Sequence, residues 1–374
     1  MISKIVLENF SAFKKVELDC SSQINIIVGE NSCGKTQILK AAYALSQIAT
    51  IKDEQGSEEA VKKLLRDLFK PRSRTVGGLV NRQVGIDCKI LIEDSYGIPF
   101  ELGIQSKSDS SVNLKATQDT DLESGVFIPT KEVLTLLPAI NSGAVDAKQL
   151  SALFDGTVVD LCNAFIKGDT IDEKQLLNSD QRLGGVLKLL NENVGGQYRC
   201  RGKEHYFVSG KYEEYKDKER KGIYWFKPEP DSELSTTMTA EGYRKIGMLQ
   251  QLILNGGINN SSKSSLFWDE PESNLNPKLM RMVVKSLLDI SRNGKQIFIA
   301  THEYVLLKWF DLLANKQQRV GDNIKYHLLS KDPETGEVTC ESSDDYSLIS
   351  ESAISDTYAE LYDAEIERSL GGRR

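Results

Sequence analysis

The chain has 374 residues, 40% of them hydrophobic and 27% charged, with a formal net charge of −7. This is ordinary for a soluble globular protein of one large or two medium domains. It excludes a membrane span, since no apolar run approaches ~18 residues, and it argues against indiscriminate coating of nucleic acid.

Six cysteines are dispersed without a Cys-x-x-Cys pair, which argues against zinc and fits a reducing compartment. The opening residues read as folded sequence and not as a signal peptide, so a cytoplasmic protein is expected.

Ile2–Leu7 reads as a strand, Asn9–Phe13 as a turn and Val16–Leu18 as a returning strand, an antiparallel opening unlike a Rossmann start. Ile24–Val28 is a continuous apolar run, the pattern of a buried strand. It leads into Gly29-Glu30-Asn31-Ser32-Cys33-Gly34-Lys35-Thr36, a complete phosphate loop. Ile38, Leu39, Ala42, Leu45 and Ile48 then recur at helical spacing. The order strand, loop, helix is what a triphosphate site needs. Small residues let backbone N–H groups curl around the anion, and the helix turns its positive end toward it. Lys35 can reach the β- and γ-phosphates, and Thr36 can offer a hydroxyl to Mg²⁺. Cys33, beside the helix N-terminus, is expected to be a thiol reactive only without nucleotide.

Glu58–Phe69 reads as a polar helix ended by the basic run Lys70-Pro71-Arg72-Ser73-Arg74. Residues 84–92 and 98–104 alternate as a hairpin about Asp94–Gly97, and Ser106–Ser124 is a polar loop. Gly125–Pro129 is a short strand, and Lys131–Leu137 begins a helical region. Helical spacing continues from about 144 to 194. Two strands, 197–209 and 222–228, flank a charged loop from Lys211 to Lys221.

Thr239-Ala240-Glu241-Gly242 opens an amphipathic helix through Leu254, and Asn255–Ser264 is a loop. Leu266-Phe267-Trp268-Asp269-Glu270-Pro271 is a short apolar strand delivering two carboxylates to its C-terminal end, the edge where ligands sit in α/β sheets. Asn276-Pro277 starts a helix as N-cap and first-turn proline. Gln296–Thr301 is a further buried strand with His302 at its exit. Tyr326–Ser330 and Val338–Glu341 pair as strands, and a helix runs from about Ser352 to Leu370.

Hydrolysis of a phosphoanhydride needs phosphate donors, a cation and an oriented water. Lys35 and the loop amides supply the first, and Thr36 with Asp269 the second. Glu270 is placed to polarise the attacking water as general base, and His302 to hydrogen-bond the γ-phosphate. His205 and His327 have no such setting and read as structural.

Taken together, Asn9-Phe10…Phe13, Gly29–Thr36, Phe267–Pro277 and Ala300-Thr301-His302 resemble an ABC-type ATPase head, similar to the RecF-, SMC- and OLD-like P-loop ATPases of the AAA family in bacterial DNA repair and phage defence. The resemblance covers residues 1–45 and about 235–310. It implies an α/β head with an antiparallel β lobe, a mainly parallel core sheet and a helical insert. The corresponding divisions are 1–138 and 226–340 for the two parts of the head, 139–225 for a mainly helical insert with a β-strand, and 341–374 for a helical tail.

It also implies ATP and Mg²⁺ as cofactors, and a homodimer, or a larger assembly of such dimers, that sandwiches ATP between heads. Thr239, Ala240, Glu241 and Gly242 are similar to the signature stretch that contacts the opposite subunit's nucleotide, although Thr-Ala-Glu replaces Ser-Gly-Gly. Asn274–Asn276 resembles the D-loop, and Glu132 is the candidate for the lobe-loop residue. Too short a stretch follows His302 for a Toprim nuclease domain of the OLD type. The resemblance therefore implies an ATPase sensor subunit of an anti-phage system acting with a separate effector, a nuclease or toxin. The alternatives are a RecF/SMC-like repair ATPase that binds DNA directly and a transporter ATPase subunit.

Overall fold

The computed structural model describes the chain outside residues 52–56, 73, 82–84, 107–111, 117–119, 168–172, 174–175, 178–179, 203, 215–223, 260–262, 318–320, 351 and 371–374. Three sheets organise it. The first is antiparallel, in the order β2(Lys15–Asp19)-β1(Ile2–Glu8)-β4(Asp87–Asp94)-β5(Pro99–Gln105)-β6(Val112–Ala116). The central sheet runs β14(Val338–Ser343)-β13(Ile324–Lys331)-β3(Ile24–Gly29)-β12(Ile297–Thr301)-β11(Leu266–Asp269)-β7(Val126–Ile128). It is parallel throughout except for β14 at its edge. The third sheet is antiparallel, β10(Tyr224–Ser235)-β9(Glu204–Glu214)-β8(Gly196–Arg201).

The central strands are apolar on both sides because both faces are covered, the usual condition of a parallel sheet. Side chains alternate between the faces. Ile24, Ile26, Val28, Leu266, Trp268, Ile297 and Ile299 enter one core, with α6(Gln181–Val194), α7(Glu241–Leu254) and α8(Pro277–Arg292). Ile27, Phe127, Phe267, Phe298 and Ala300 enter the other, with α1(Lys35–Ile48), α2(Ser57–Phe69) and the β1 lobe. Phe267 stacks between Phe127 and Phe298 under Tyr43 of α1. Asp269 is two residues beyond Phe267, so strand parity turns its carboxylate to the α1 side, where Thr36 stands.

Beyond β7 come α3(Leu137–Asn141), α4(Ala147–Leu153) and α5(Gly156–Lys167). Lys40 of α1 pairs with Asp155 at 2.7 Å, and Tyr43 donates to Asp160 at 2.8 Å, tying α1 to this helical layer. After β12 lie α9(Tyr304–Leu313) and, at the end, α10(Ala353–Ser369).

Several expectations are corrected. The polar stretch Ser106–Ser124 contains β6, an edge strand in which exposed Asn113 and Lys115 alternate with Val112 and Leu114 over a run too short to stand out from its polar surroundings. Lys131–Leu136 is not helical, and the helix starts at Leu137. Glu132 instead folds back to accept from Thr135 N (3.3 Å) and Thr135 Oγ1 (2.7 Å). The single strand expected over 197–209 is two, β8 and β9, turning at Gly202 with φ 64°. β9 extends through Glu214, and the rest of the expected charged loop lies outside the described residues. β8, β9 and β10 thus form one three-stranded sheet, and β10 spans the position of the expected division at 225/226.

His327 on β13 is fully buried, with Nδ1 2.7 Å from Ser342 Oγ and Nε2 3.4 Å from Asn25 Oδ1. Burial, helped by Lys325, pushes its pKa down to about 3. The folded value lies below the unfolded one. The stabilisation is therefore present above pH ~6.5 and lost as pH falls toward the folded value, at about 1.4 kcal/mol per pH unit. Denaturant titrations at pH about 7.5 and about 5 should show His327→Asn losing roughly 2 kcal/mol less than wild type between the two. Parallel losses would contradict this.

Candidate active site

The phosphate loop leaves β3 and closes on α1 at Gly34, whose φ of 88° suits a residue without a Cβ. A Cβ there would also collide with the ring of Phe13, which the Asn9–Phe13 turn presses against the loop. No acidic residue occupies the first turn of α1, so its positive end is not offset. Lys35 Nζ donates to Gly29 O at 2.8 Å and Glu30 O at 2.9 Å. Burial lowers its pKa, against the opposing pull of Glu270, Asp269 and Glu272.

Thr36 Oγ1 lies 3.0 Å from each Asp269 carboxylate oxygen, and Thr130 Oγ1 lies 3.0 Å from Oδ2. Burial raises the Asp269 pKa, and the two hydroxyls work against that rise. Two hydroxyls and one carboxylate converging on one point form a hard-oxygen donor set, the kind that suits Mg²⁺.

Glu270 leaves the strand in a left-handed conformation, φ 45°. Its N–H donates to Ala300 O at 2.9 Å, and Oε2 accepts from Ser273 Oγ at 3.0 Å. Its Oε1 is 3.4 Å from His302 Nδ1, with the Glu270 side chain 26% exposed and so open to water. Glu272 is buried behind the pair, accepting from Thr301 Oγ1 at 2.7 Å and His302 N at 3.4 Å. Burial raises its pKa, opposed by its own backbone N–H, by the Thr301 hydroxyl and by the charges of His302 and Lys245.

Lys35, Thr36, Asp269, Glu270 and His302 thus lie together at the end of the central sheet. Thr130, Glu272 and Lys245 join them unforeseen. Glu132 does not reach Asp269: it pairs with Arg244 at 2.9 Å, and Thr130 takes the place beside the carboxylate. The sign available in the sequence was the position of Thr130 directly after the strand-ending Pro129.

Thr239–Gly242 stands apart on the surface at the start of α7. Thr239 is engaged by Tyr198 OH at 2.7 Å, and Glu241 accepts from Asn274 Nδ2 at 2.8 Å. The N-cap, Ala240, provides no side-chain cap to the helix N–H groups.

Cys33 is 1% exposed and packs in the lobe-side core, which removes the expected nucleotide-gated reactivity. Cys200 is the exposed cysteine. A thiol reagent followed by peptide mass spectrometry should label Cys200 first and Cys33 slowly, at the same rate with and without Mg-ATP. Fast, nucleotide-sensitive labelling of Cys33 would contradict its placement.

A cleft of about 750 Å³ opens beside the loop, lined by Ser11, Ser32, Arg72, Asn81 and Lys331 among others.

Comparison with known proteins bears on the family and the fold. A family model described as AAA ATPase domain matches residues 1–229. A second AAA-domain model, whose description names the AbiEii toxin and a type IV TA system, matches residues 257–308. The DNA replication and repair protein RecF of Staphylococcus haemolyticus is 32% identical over 84 residues, 22% of this chain and 21% of that protein. RecF of Staphylococcus epidermidis is 40% identical over 45 residues, 12% of each. The chain thus matches well under two thirds of the length of these curated relatives. A solved SMC head bound to the C-winged helix domain of ScpA shares the fold at a TM-score of 0.53 and 12% identity, over 91% of this chain and 97% of that one.

Proposed function

The chain belongs to the AAA ATPase domain family and has the fold of an SMC head; from that premise we propose that it hydrolyses ATP, how its residues divide the work and what the work serves. Gly29, Glu30, Asn31, Ser32, Cys33 and Gly34 wrap the phosphates with backbone N–H groups, and Lys35 faces the β/γ oxygens. Thr36 and Asp269 would hold Mg²⁺, with Thr130 beside them. Bound there, the ion would supply Lewis-acid stabilisation of the negative charge that develops during phosphoryl transfer. Glu270 takes a proton from the attacking water, and His302, aligned by Glu272, orients toward the γ-phosphate. The observation that carries this reading is the convergence of Thr36 and Thr130 on Asp269 at 3.0 Å, next to the Glu270–His302 pair.

Two copies then enclose ATP, with Thr239, Ala240, Glu241 and Gly242 of one completing the site of the other. The exposed start of α7, which lacks a side-chain cap, supports this, although Glu241 in its first turn offsets part of the positive end that would favour an anion.

The ATPase serves as the sensor subunit of an anti-phage system with a separate effector. Support comes from the match of residues 257–308 to a model whose description names a toxin and a TA system. Affinity isolation from native cells, with ATP, ADP or no nucleotide, should recover one partner in a nucleotide-dependent ratio. Recovery of the chain alone under every condition would count against the role. The second reading, a DNA-repair ATPase, is favoured by the RecF match. It predicts ATP-dependent DNA binding that weakens steeply with salt. The basic cluster on α2 gives it little help, since Lys62, Lys63 and Arg66 are paired with Glu58, Asp67 and Glu59.

A further inference from the structure

Lys245 lies one turn into α7, surrounded by the apolar core, and is 1% exposed. A buried ammonium is costly unless donors and charge are both answered. Its Nζ donates to two backbone carbonyls from separate segments: Thr130 O at 3.1 Å and Glu270 O in a short bond. Burial lowers its pKa to about 8, and Glu272, Glu270, Asp269 and Glu241 pull the other way.

Both carbonyls belong to residues of the site. Thr130 also gives its hydroxyl to Asp269, and Glu270 is the residue in the left-handed conformation, φ 45°, which a residue with a Cβ adopts only when held there. Fixing the Glu270 carbonyl fixes the peptide plane after it and hence the direction of its side chain. Ser273 N also donates to that carbonyl, at 3.1 Å, which closes the turn on the other side.

We propose that Lys245 is a positioning residue for hydrolysis: it ties the backbone of Glu270 to that of Thr130 and thereby aims the Glu270 carboxylate at the attacking water. This rests on Glu270 being the base. The Lys245 ammonium is engaged by these two backbone carbonyls, so it acts through the residues it positions.

A double-mutant cycle separates this from a structural role. Lys245→Met keeps the length and removes the cation. Single-turnover hydrolysis at saturating Mg-ATP should fall about 10–100-fold in Lys245→Met, with ATP affinity within about threefold of wild type. In the Glu270→Gln background the same change should cost less than about twofold, because there is no base left to aim. Equal losses in both backgrounds, or no loss in the wild-type background, would overturn the proposal while leaving Glu270 as base. A Glu270→Gln enzyme as fast as wild type would instead remove the base assignment and this inference with it. If circular dichroism shows Lys245→Met unfolded, Lys245→Gln, which keeps an amide donor, is carried through the same cycle and judged by the same outcomes.

Discussion

Lys35→Ala should weaken ATP binding by about 10²–10⁴-fold, the equivalent of two charge-assisted hydrogen bonds at roughly 1.5–3 kcal/mol each. The ammonium is held over the loop by the Gly29 and Glu30 carbonyls, so its side chain is ordered before any phosphate arrives. Little ordering entropy is then spent on binding. The fold should survive, because Ile38, Leu39, Ala42 and Leu45 of α1 keep their core contacts. Calorimetric titration with ATP is the check. Unchanged affinity would remove the phosphate loop from the account.

Glu270→Gln should separate binding from turnover. Glutamine keeps the shape and can still accept from Ser273, but it cannot take a proton from water. Loss of a general base costs about 10²–10⁴ in rate. Lys35, Thr36 and Asp269 are untouched, so ATP affinity should stay within a few fold. If two heads enclose the nucleotide, the variant should accumulate as an ATP-bound dimer or a multiple of it. Gly242→Asp should block that accumulation, since a Cβ at Gly242 would lie 2.8 Å from Asn274 O and displace the neighbouring turn. Light scattering with and without ATP reads the mass. A mass indifferent to both ATP and Gly242→Asp would argue against the two-headed arrangement.

What could be read in the sequence was local. The phosphate loop, the Asp269-Glu270 strand, the exit of His302 and the Asn276 cap each sit within one stretch, and each is where it was expected. Spacing of apolar residues located the central strands because both faces are buried, leaving uninterrupted runs. It failed at β6, an edge strand of five residues set in a long polar stretch, and at Lys131–Leu136, where Glu132 serves Thr135 and Arg244 in a turn.

The inner parts of the site were not legible for another reason. Thr130, Lys245 and Glu272 come from three segments and acquire meaning only when β7, α7 and β11 are brought together. Lys245 in particular reads as an ordinary helix lysine until its carbonyl partners are seen. Cys33 reads as a loop thiol, yet it packs inward on the lobe side, in the same core as Phe13.

Single-turnover hydrolysis, with enzyme in excess over ATP and quenched over time, tests the central claim most directly. The account predicts Mg²⁺-dependent conversion of ATP to ADP by the wild type and a rate about 10²–10⁴-fold lower for Glu270→Gln at equal ATP occupancy. Equal rates for the two proteins would contradict it.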